Sequence, residues 1–485
     1  MANAVSFGDE ALIALDTISD RAGGLLNPSL RLGVTGLSRA GKTVFITSLV
    51  HNLIHGGRLP LFEAQASQRI TRANLQPQPD DGVPRFAYED HIRAIVEGRN
   101  WPDSTRAISQ LRLKIDFESA SAWSRIFSGG TLNLDIVDYP GEWLLDLPLL
   151  SKSYRDFCAE ALNLAKSDSR AKVSKHLVKL TEKTDPHAEA SESTALELTK
   201  VFTEYLRECR RDDLALSTLP PGRFLMPGDM EGSPALTFAP LEIAKGQPRP
   251  NSKSLYAMME RRYEAYKTLV VKPFFREHIT RLDRQIVLID AMHAINAGSE
   301  ALADLQRALS EVMMVFRTGT SNPISAFWRR RIDRILIAAT KADHLHHTSH
   351  NQLEGIVRSV VDKAMKEARF SGAQVSTIAM AAVRSTREAE MRDGAETLPV
   401  VVGTPSRGEM VGGETFDGAT ETAVFPGDLP HTASELFSSS LKPGNHRFVK
   451  FRPPNLEVTA DGLTLSLPHI RLDKALEFLV GDRLA

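Results

Sequence analysis

One stretch restricts this chain more than any other: Gly36 to Thr43 read GLSRAGKT, which satisfies G-x-x-x-x-G-K-[ST] at every fixed position. It lies between a β-prone run, LRLGVTGL, and a helical one, Thr43 to Leu53. Strand, glycine-rich loop and helix in that order open an α/β domain. The glycines allow backbone N–H groups to wrap phosphate oxygens at the positive end of the next helix. In such a loop Lys42 bridges the β- and γ-phosphates, and the Thr43 hydroxyl is a ligand for Mg²⁺. The expected cradle is Gly36, Leu37, Ser38, Arg39, Ala40, Gly41, Lys42, Thr43 and Val44.

A phosphate loop does not name the base, so the residues at the end of each later strand matter. Ile108–Phe117 and Thr131–Val137 alternate in apolar character and predict an antiparallel pair. The second runs on as TLNLDIVDYPG, delivering D-x-x-G. Asp138 is placed to hold Mg²⁺ through water, and the Gly141 amide to sense a γ-phosphate. Further on, IDRILIAATKAD is a buried strand that delivers T-K-x-D, with Thr340, Lys341 and Asp343. The Asp343 carboxylate can accept from guanine N1–H and the exocyclic amine, while the Lys341 stem covers the base. Adenine offers no such pair of donors. Val375 to Val383 reads as one more strand with a small-residue end, where a backbone N–H of Ala381 or Ala382, beside Val383, is a partner for the guanine oxygen.

Spacing then sets the organisation. Asp138 and Thr340 lie 202 positions apart, far more than one helix and one strand need. A minimal nucleotide domain takes roughly 150–200 residues. Residues 147–280 therefore read as an insertion, rich in Ala, Leu, Lys and Glu and predicted helical, between 1–146 and 281–392 as the two parts of the core. A proline-rich loop is expected over 220–250, then a helix from about Ser254 to Leu282 with a break at Pro273. Residues 393–485 carry β and turn signals and end in an amphipathic helix. A further helix is predicted over Asp9–Arg21.

With 59 basic and 60 acidic side chains, overall charge excludes a nucleic-acid binder of the electrostatic type, and no direct nucleic-acid binding is expected. Only Cys158 and Cys209 are present, too few for a disulfide framework, and the start of the chain lacks signal-peptide character. No apolar run reaches the ~18 residues of a membrane helix. The expected location is the cytoplasm.

These motifs together resemble a P-loop GTPase, and more narrowly the YcjX-like family of bacterial GTPases. GLSRAGKT, WPDST, IVDYPGEWLLDLPLL and ATKADHL support the first likeness. TFDGATETAVFPGDLP and PHIRLDKALEFLVGDRL are not general GTPase motifs and carry the second. The resemblance implies an α/β P-loop NTPase fold: a Ras-like core, a large helical insertion and a small β-containing C-terminal appendage. It implies Mg²⁺ and GTP/GDP as cofactors and hydrolysis of GTP as a nucleotide-dependent switch. It also implies a link to bacterial stress response, with a protein effector at the insertion or a membrane-associated stress protein that brings the chain to the inner membrane.

The same resemblance assigns roles whose alternatives stay open. A threonine before the Ile108–Phe117 strand closes the first switch over Mg²⁺; Thr105 occupies that position, with Ser104 its rival and a turn cap the plainer role. Glu142 comes after Gly141, where related switches carry a water-positioning glutamine; it either orients water or is a surface or supporting carboxylate. Arg39 stands where some cation-dependent relatives have asparagine, and is either a charge stabiliser in cis or solvent-facing. The catalytic candidates are thus Lys42, Thr105, Arg39 and Glu142, and the metal candidates Thr43, Thr105 and Asp138. His344, His346, His347 and His350 have zinc-like spacing, but no acidic or cysteine partner lies nearby in sequence, which favours a polar loop. Two rival functions remain: a P-loop ATPase or kinase, and a non-hydrolysing GTP-loaded interaction module. Oligomeric state is not legible.

Overall fold

The computed structural model describes residues 28–485 except 38, 104–106, 121–129, 212–213, 244–250, 316–331, 371, 395, 412, 431–434, 436, 438–447 and 457–465. The expected helix over Asp9–Arg21 lies outside the described residues, as do Ser38, Ser104 and Thr105.

Strand β1 (Ser29–Gly36) is the axis of a seven-stranded sheet with β2 (Ile70–Gln76), β3 (Ser109–Phe117), β4 (Gly130–Asp138), β5 (Arg284–Ile289), β6 (Arg334–Ala339) and β7 (Gln374–Ala379), in the order β2-β3-β4-β1-β5-β6-β7. From β4 to β7 every pairing is parallel, while β3 runs antiparallel to β4 as its alternating pattern predicts. Strand β2 is not predicted by its sequence. The segment ITRANLQ buries only Ala73 on an exposed sheet edge, so the apolar alternation that marks a strand is missing.

Strand β5 is buried along its whole length, and successive side chains feed opposite layers. Ile286 and Leu288, with Leu336 and Ala338 of β6, face helix α1 (Lys42–Ile54) and the C-terminal helix α10 (Leu472–Val480). Helix α2 (Tyr88–Val96) lies beside α1, with the Tyr88 hydroxyl 3.0 Å from the His51 ring. Val287 and Ile289, with Ile335, Ile337 and Ala339, face the other layer. The last helix of the chain therefore returns to complete one face of the nucleotide-type core. Its carbonyls Phe478 and Leu479 accept from Arg334 (2.7 Å) and Arg284 (3.2 Å).

On the opposite face the insertion and the sheet share one continuous core. The insertion contributes α3 (Tyr154–Ala165), α4 (Ala171–Lys183), α5 (Glu192–Cys209) and α6 (Leu255–Tyr266). Ser153 opens α3 with a reciprocal capping box to Asp156. Phe157, Phe202, Phe224, Phe238, Tyr263 and Tyr266 interlock at ring separations of 4.9–6.3 Å. The proline-rich stretch from 220 is packed: Gly222, Phe224, Phe238 and Leu241 are all buried. Pro273 does not break its helix. The irregularity comes one turn earlier as a π-segment, Lys267–Val271, and Pro273 occupies the first turn of the next helix, where a missing N–H costs nothing.

A buried ion pair pins the insertion to helix α8 (Ser299–Val315), which comes after β5 and the short helix α7 (Ala291–Ala297). Arg170 donates to Asp304 at 2.7 Å, and the same carboxylate takes the Ser217 and Thr218 amides at 2.7 and 2.8 Å. Helix α9 (His350–Phe370) packs beside α8, where the Gln306 side chain donates to the Val360 carbonyl at 3.2 Å. Beyond β7 a small antiparallel sheet holds β8 (Arg387–Asp393), β9 (Glu396–Gly403) and Thr422–Val424. Val401, Val424, Val449 and Phe451 form its own core.

Candidate functional site

Because β1, β4, β5 and β6 are parallel neighbours, their C-terminal ends share one edge of the sheet, and three of the sequence motifs open from it. The phosphate loop leaves the end of β1. Arg39 and Gly41 both take positive φ, 64° and 78°, so the chain turns sharply before α1. At Gly41 a Cβ would meet nothing within 4 Å; the constraint is conformational, and the space beside the backbone stays open. No side chain caps α1 and no acidic residue occupies its first turn, so its positive end has no anion supplied by its own sequence. Leu37 and Ala40 are buried under the loop, Lys42 is half-buried and Arg39 is exposed.

The Thr43 hydroxyl is buried and donates to the Asp103 carbonyl at 3.3 Å. That bond draws the end of the WPD segment to the phosphate loop. Trp101 is anchored in turn, its indole N–H donating to the Phe451 carbonyl at 2.7 Å. Asp138, at the end of β4, is buried and pairs in register with Val34 of β1.

The glycine of D-x-x-G is required by proximity. A Cβ at Gly141 would stand 2.0 Å from the Gly36 carbonyl oxygen, so the D-x-x-G segment lies against the phosphate loop. From Gly141 to Ser151 the chain forms 3₁₀ turns and is buried almost throughout. The insertion closes over it. Gly222 approaches so tightly that a Cβ would come 1.9 Å from the Glu142 carbonyl oxygen. Asp146 accepts from the Gly222 amide (2.7 Å), the Arg223 amide (3.3 Å) and the Tyr266 hydroxyl (2.5 Å). Burial pushes the Asp146 carboxyl up to about 6 despite those donors.

Glu142 is not a surface carboxylate: it is 6% exposed and pairs with Arg210, just past the end of α5, at 2.7 Å. Both line a cavity of about 50 Å³ with Leu37, Arg39, Asp290 and His293. Partial burial, then the neighbouring Arg210, lowers the Arg39 pKa, with Asp290 opposing. Arg210 is a residue that motif reading misses. Nothing in its local sequence separates it from the other surface arginines of a helix end.

On the far side, Thr340 donates from both its amide and its hydroxyl to the Ile289 carbonyl, at 2.9 and 3.2 Å. Lys341 takes positive φ, 61°, and its ammonium meets Asp290 at 2.5 Å. Burial alone would raise Asp290, but the Lys341 ion pair and hydrogen bond outweigh it and hold the carboxyl below its usual range. Asp343 is buried, and its Oδ2 accepts from the Ser385 amide (2.9 Å) and hydroxyl (2.5 Å), while Thr386 donates to its carbonyl. Motif reading misses Ser385 and Thr386 as well, because a separation of 42 residues between Asp343 and Ser385 hides the contact.

The segment 380–383 is a loop rather than the end of a strand, since β7 stops at Ala379. The Ala381 amide is committed to the Ile470 carbonyl at 3.0 Å, which removes it as a partner for the base and leaves Ala382 of the two alternatives. The Ala382 carbonyl accepts from the Ser48 hydroxyl at 2.6 Å. Val383 packs with Ile95 and Leu467, and Val44 lies against them, so these two valines shape the wall behind the loop.

The donors for a hard cation are all oxygen: the Thr43 hydroxyl and the Asp138 carboxylate, both buried, one opening α1 and one closing β4. That set, beside an uncapped helix N-terminus, fits Mg²⁺ with a polyphosphate.

Comparison with known proteins agrees in extent with this geometry. Residues 30–484 match the model of the YcjX-like family, DUF463. The chain is 36% identical over 470 residues to a protein of Escherichia coli (strain K12) named Ras-like GTPase YcjX, covering 94% of this chain and 96% of that one. It is 33% identical over 500 residues to a protein of the same name from Shewanella oneidensis, covering 97% and 99%.

Proposed function

This chain belongs to the YcjX-like family, and from that premise we propose that it binds guanine nucleotide and hydrolyses GTP to GDP with Mg²⁺, as a nucleotide-dependent switch. The observation that carries the reading is the convergence of the phosphate loop, D-x-x-G and T-K-x-D on one edge of a parallel sheet, at the ends of β1, β4 and β6. In this reading the Gly36–Val44 backbone holds the phosphates and Lys42 neutralises the β- and γ-oxygens. Thr43, Thr105 and Asp138 would hold Mg²⁺, which supplies charge neutralisation at the γ-phosphate. Asp343 selects guanine, set in place by Ser385, and the Ala382 amide meets the ring oxygen.

Glu142 and Arg39 line a cavity beside the phosphate loop, from which they would reach a γ-phosphate or its attacking water, and the insertion, packed on the D-x-x-G segment, is the surface through which an effector reads the nucleotide. A role in stress response and a peripheral place at the inner membrane through such a partner belong to the same proposal. Among the described residues no helix is long and apolar enough to cross a membrane.

A second reading, a GTP-loaded module that does not hydrolyse, is favoured by one observation: the residue after Gly141 is a glutamate already held by Arg210. Two measurements test the proposal. Thermal midpoints with Mg²⁺ and GDP, GTP or ATP should rise for the guanine nucleotides alone. Product analysis after incubation with GTP should find GDP and phosphate. Equal stabilisation by ATP overturns guanine selection and favours an ATPase or kinase; intact GTP in the bound fraction selects the second reading.

A further inference from the structure

His346 and His347 lie just past the T-K-x-D loop, whose own Asp343 is taken by Ser385. The fold supplies another carboxylate. Glu388, at the start of β8, brings Oε2 to 2.5 Å from His347 Nδ1 and 3.8 Å from His346 Nε2. The three ligand atoms lie within 4.8 Å of one another. On a tetrahedral ion with bonds of about 2.1 Å, ligand atoms stand about 3.4 Å apart, so only small side-chain rotations separate this cluster from a coordination shell.

Two outer contacts support the cluster from behind. His346 Nδ1 meets the Thr348 hydroxyl at 3.0 Å, which orients the ring and leaves Nε2 toward Glu388. Arg384 takes the other Glu388 oxygen at 3.1 Å, leaving Oε2 for the histidines. Metal-binding histidines and carboxylates are oriented by outer partners of this kind. His347 is 63% exposed on its side chain, which gives an ion a way in and a position for water.

We propose that His346, His347 and Glu388 bind a borderline divalent transition ion of the Zn²⁺ class, at a site separate from the phosphate loop. Two imidazoles and one carboxylate suit such an ion and discriminate against Mg²⁺, which takes oxygen ligands. The ion would join the loop that carries Asp343 to the start of β8, adding to the bonds that Ser385 and Thr386 already make to Asp343.

The test uses the full chain, stripped with a chelator and held in excess Mg²⁺ and GDP so that any nucleotide site is filled. Co²⁺ is titrated while its visible absorption is followed, and Zn²⁺ is then added. The expected result is saturable binding with the intense bands of four- or five-coordinate cobalt, lost on displacement by Zn²⁺. Affinity should fall more than about tenfold in Glu388→Gln and His347→Ala, and about tenfold in Thr348→Val. Zn²⁺ should raise the thermal midpoint of the wild type and not of the first two variants. A wild-type spectrum no different from aqueous cobalt overturns the proposal, as does equal Co²⁺ affinity in wild type, Glu388→Gln and His347→Ala.

Discussion

Arg210, contributed by the insertion, lies 2.7 Å from Glu142, the residue next to the D-x-x-G glycine, and the two side chains are 23% and 8% exposed. The contact joins a segment some seventy positions away in sequence to the element that, in the proposed function, senses a γ-phosphate. Removing one partner leaves a largely buried charge without its neighbour. A double-mutant cycle with Arg210→Ala and Glu142→Gln should therefore report a coupling of about 1–3 kcal/mol in urea unfolding. Additive effects would mean that the pair contributes nothing to holding the D-x-x-G segment.

The neighbouring Asp146 makes stability depend on pH. Burial raises its folded-state pKa to about 6 from an ordinary 3.8, so between those values the folded protein binds a proton that the unfolded chain has released. Stability from this group is present below pH ~4, falls as pH rises to ~6 and is constant above it, a difference of about 3 kcal/mol. Asp146→Asn, which cannot ionise, should remove that component. Urea midpoints of wild type and variant, measured from pH 4 to 7, should diverge steadily toward pH 6 and run parallel beyond it.

Base selection is tested at Asp343. Losing two hydrogen bonds to a charged acceptor at about 1.5–3 kcal/mol each should disfavour ATP by roughly a hundredfold to ten-thousandfold in the wild type. Asp343→Asn should weaken GTP and strengthen XTP, whose C2 carries an oxygen in place of the amine. Ser385→Ala removes only the hydroxyl that positions Asp343, so it should weaken GTP about tenfold without changing preference. A variant at 343 that gains nothing for XTP, in a protein that binds ATP as well as GTP, ends the guanine assignment.

Asp304 anchors the insertion through Arg170 and two backbone amides. Asp304→Ala strands a buried guanidinium and should cost about 3–5 kcal/mol, read as a lowered denaturant midpoint. In the wild type, hydrogen exchange over 147–280 should differ between GDP and a non-hydrolysable GTP analogue. Differences confined to 100–145 would make the insertion a passive element.

Sequence alone determined what depends on neighbours in the chain. GLSRAGKT with its flanking strand and helix, the all-apolar core of β5, the antiparallel β3–β4 pair and the helices of the insertion all come from local periodicity and from backbone conformations that few residue types tolerate. Strand β2 escaped because an exposed edge needs no apolar alternation. What the tertiary structure decided are contacts between side chains far apart in sequence. Arg210 reaches Glu142, Ser385 reaches Asp343, Glu388 reaches His347, and Ile470 takes the Ala381 amide. None of these leaves a local trace, since a charged or hydroxyl side chain at a helix end or in a loop looks alike whether it faces water or a buried partner. The packing of the insertion on the D-x-x-G segment, and of the last helix on the sheet, set those distances, because burying both faces of a parallel sheet leaves each covering element few positions to occupy.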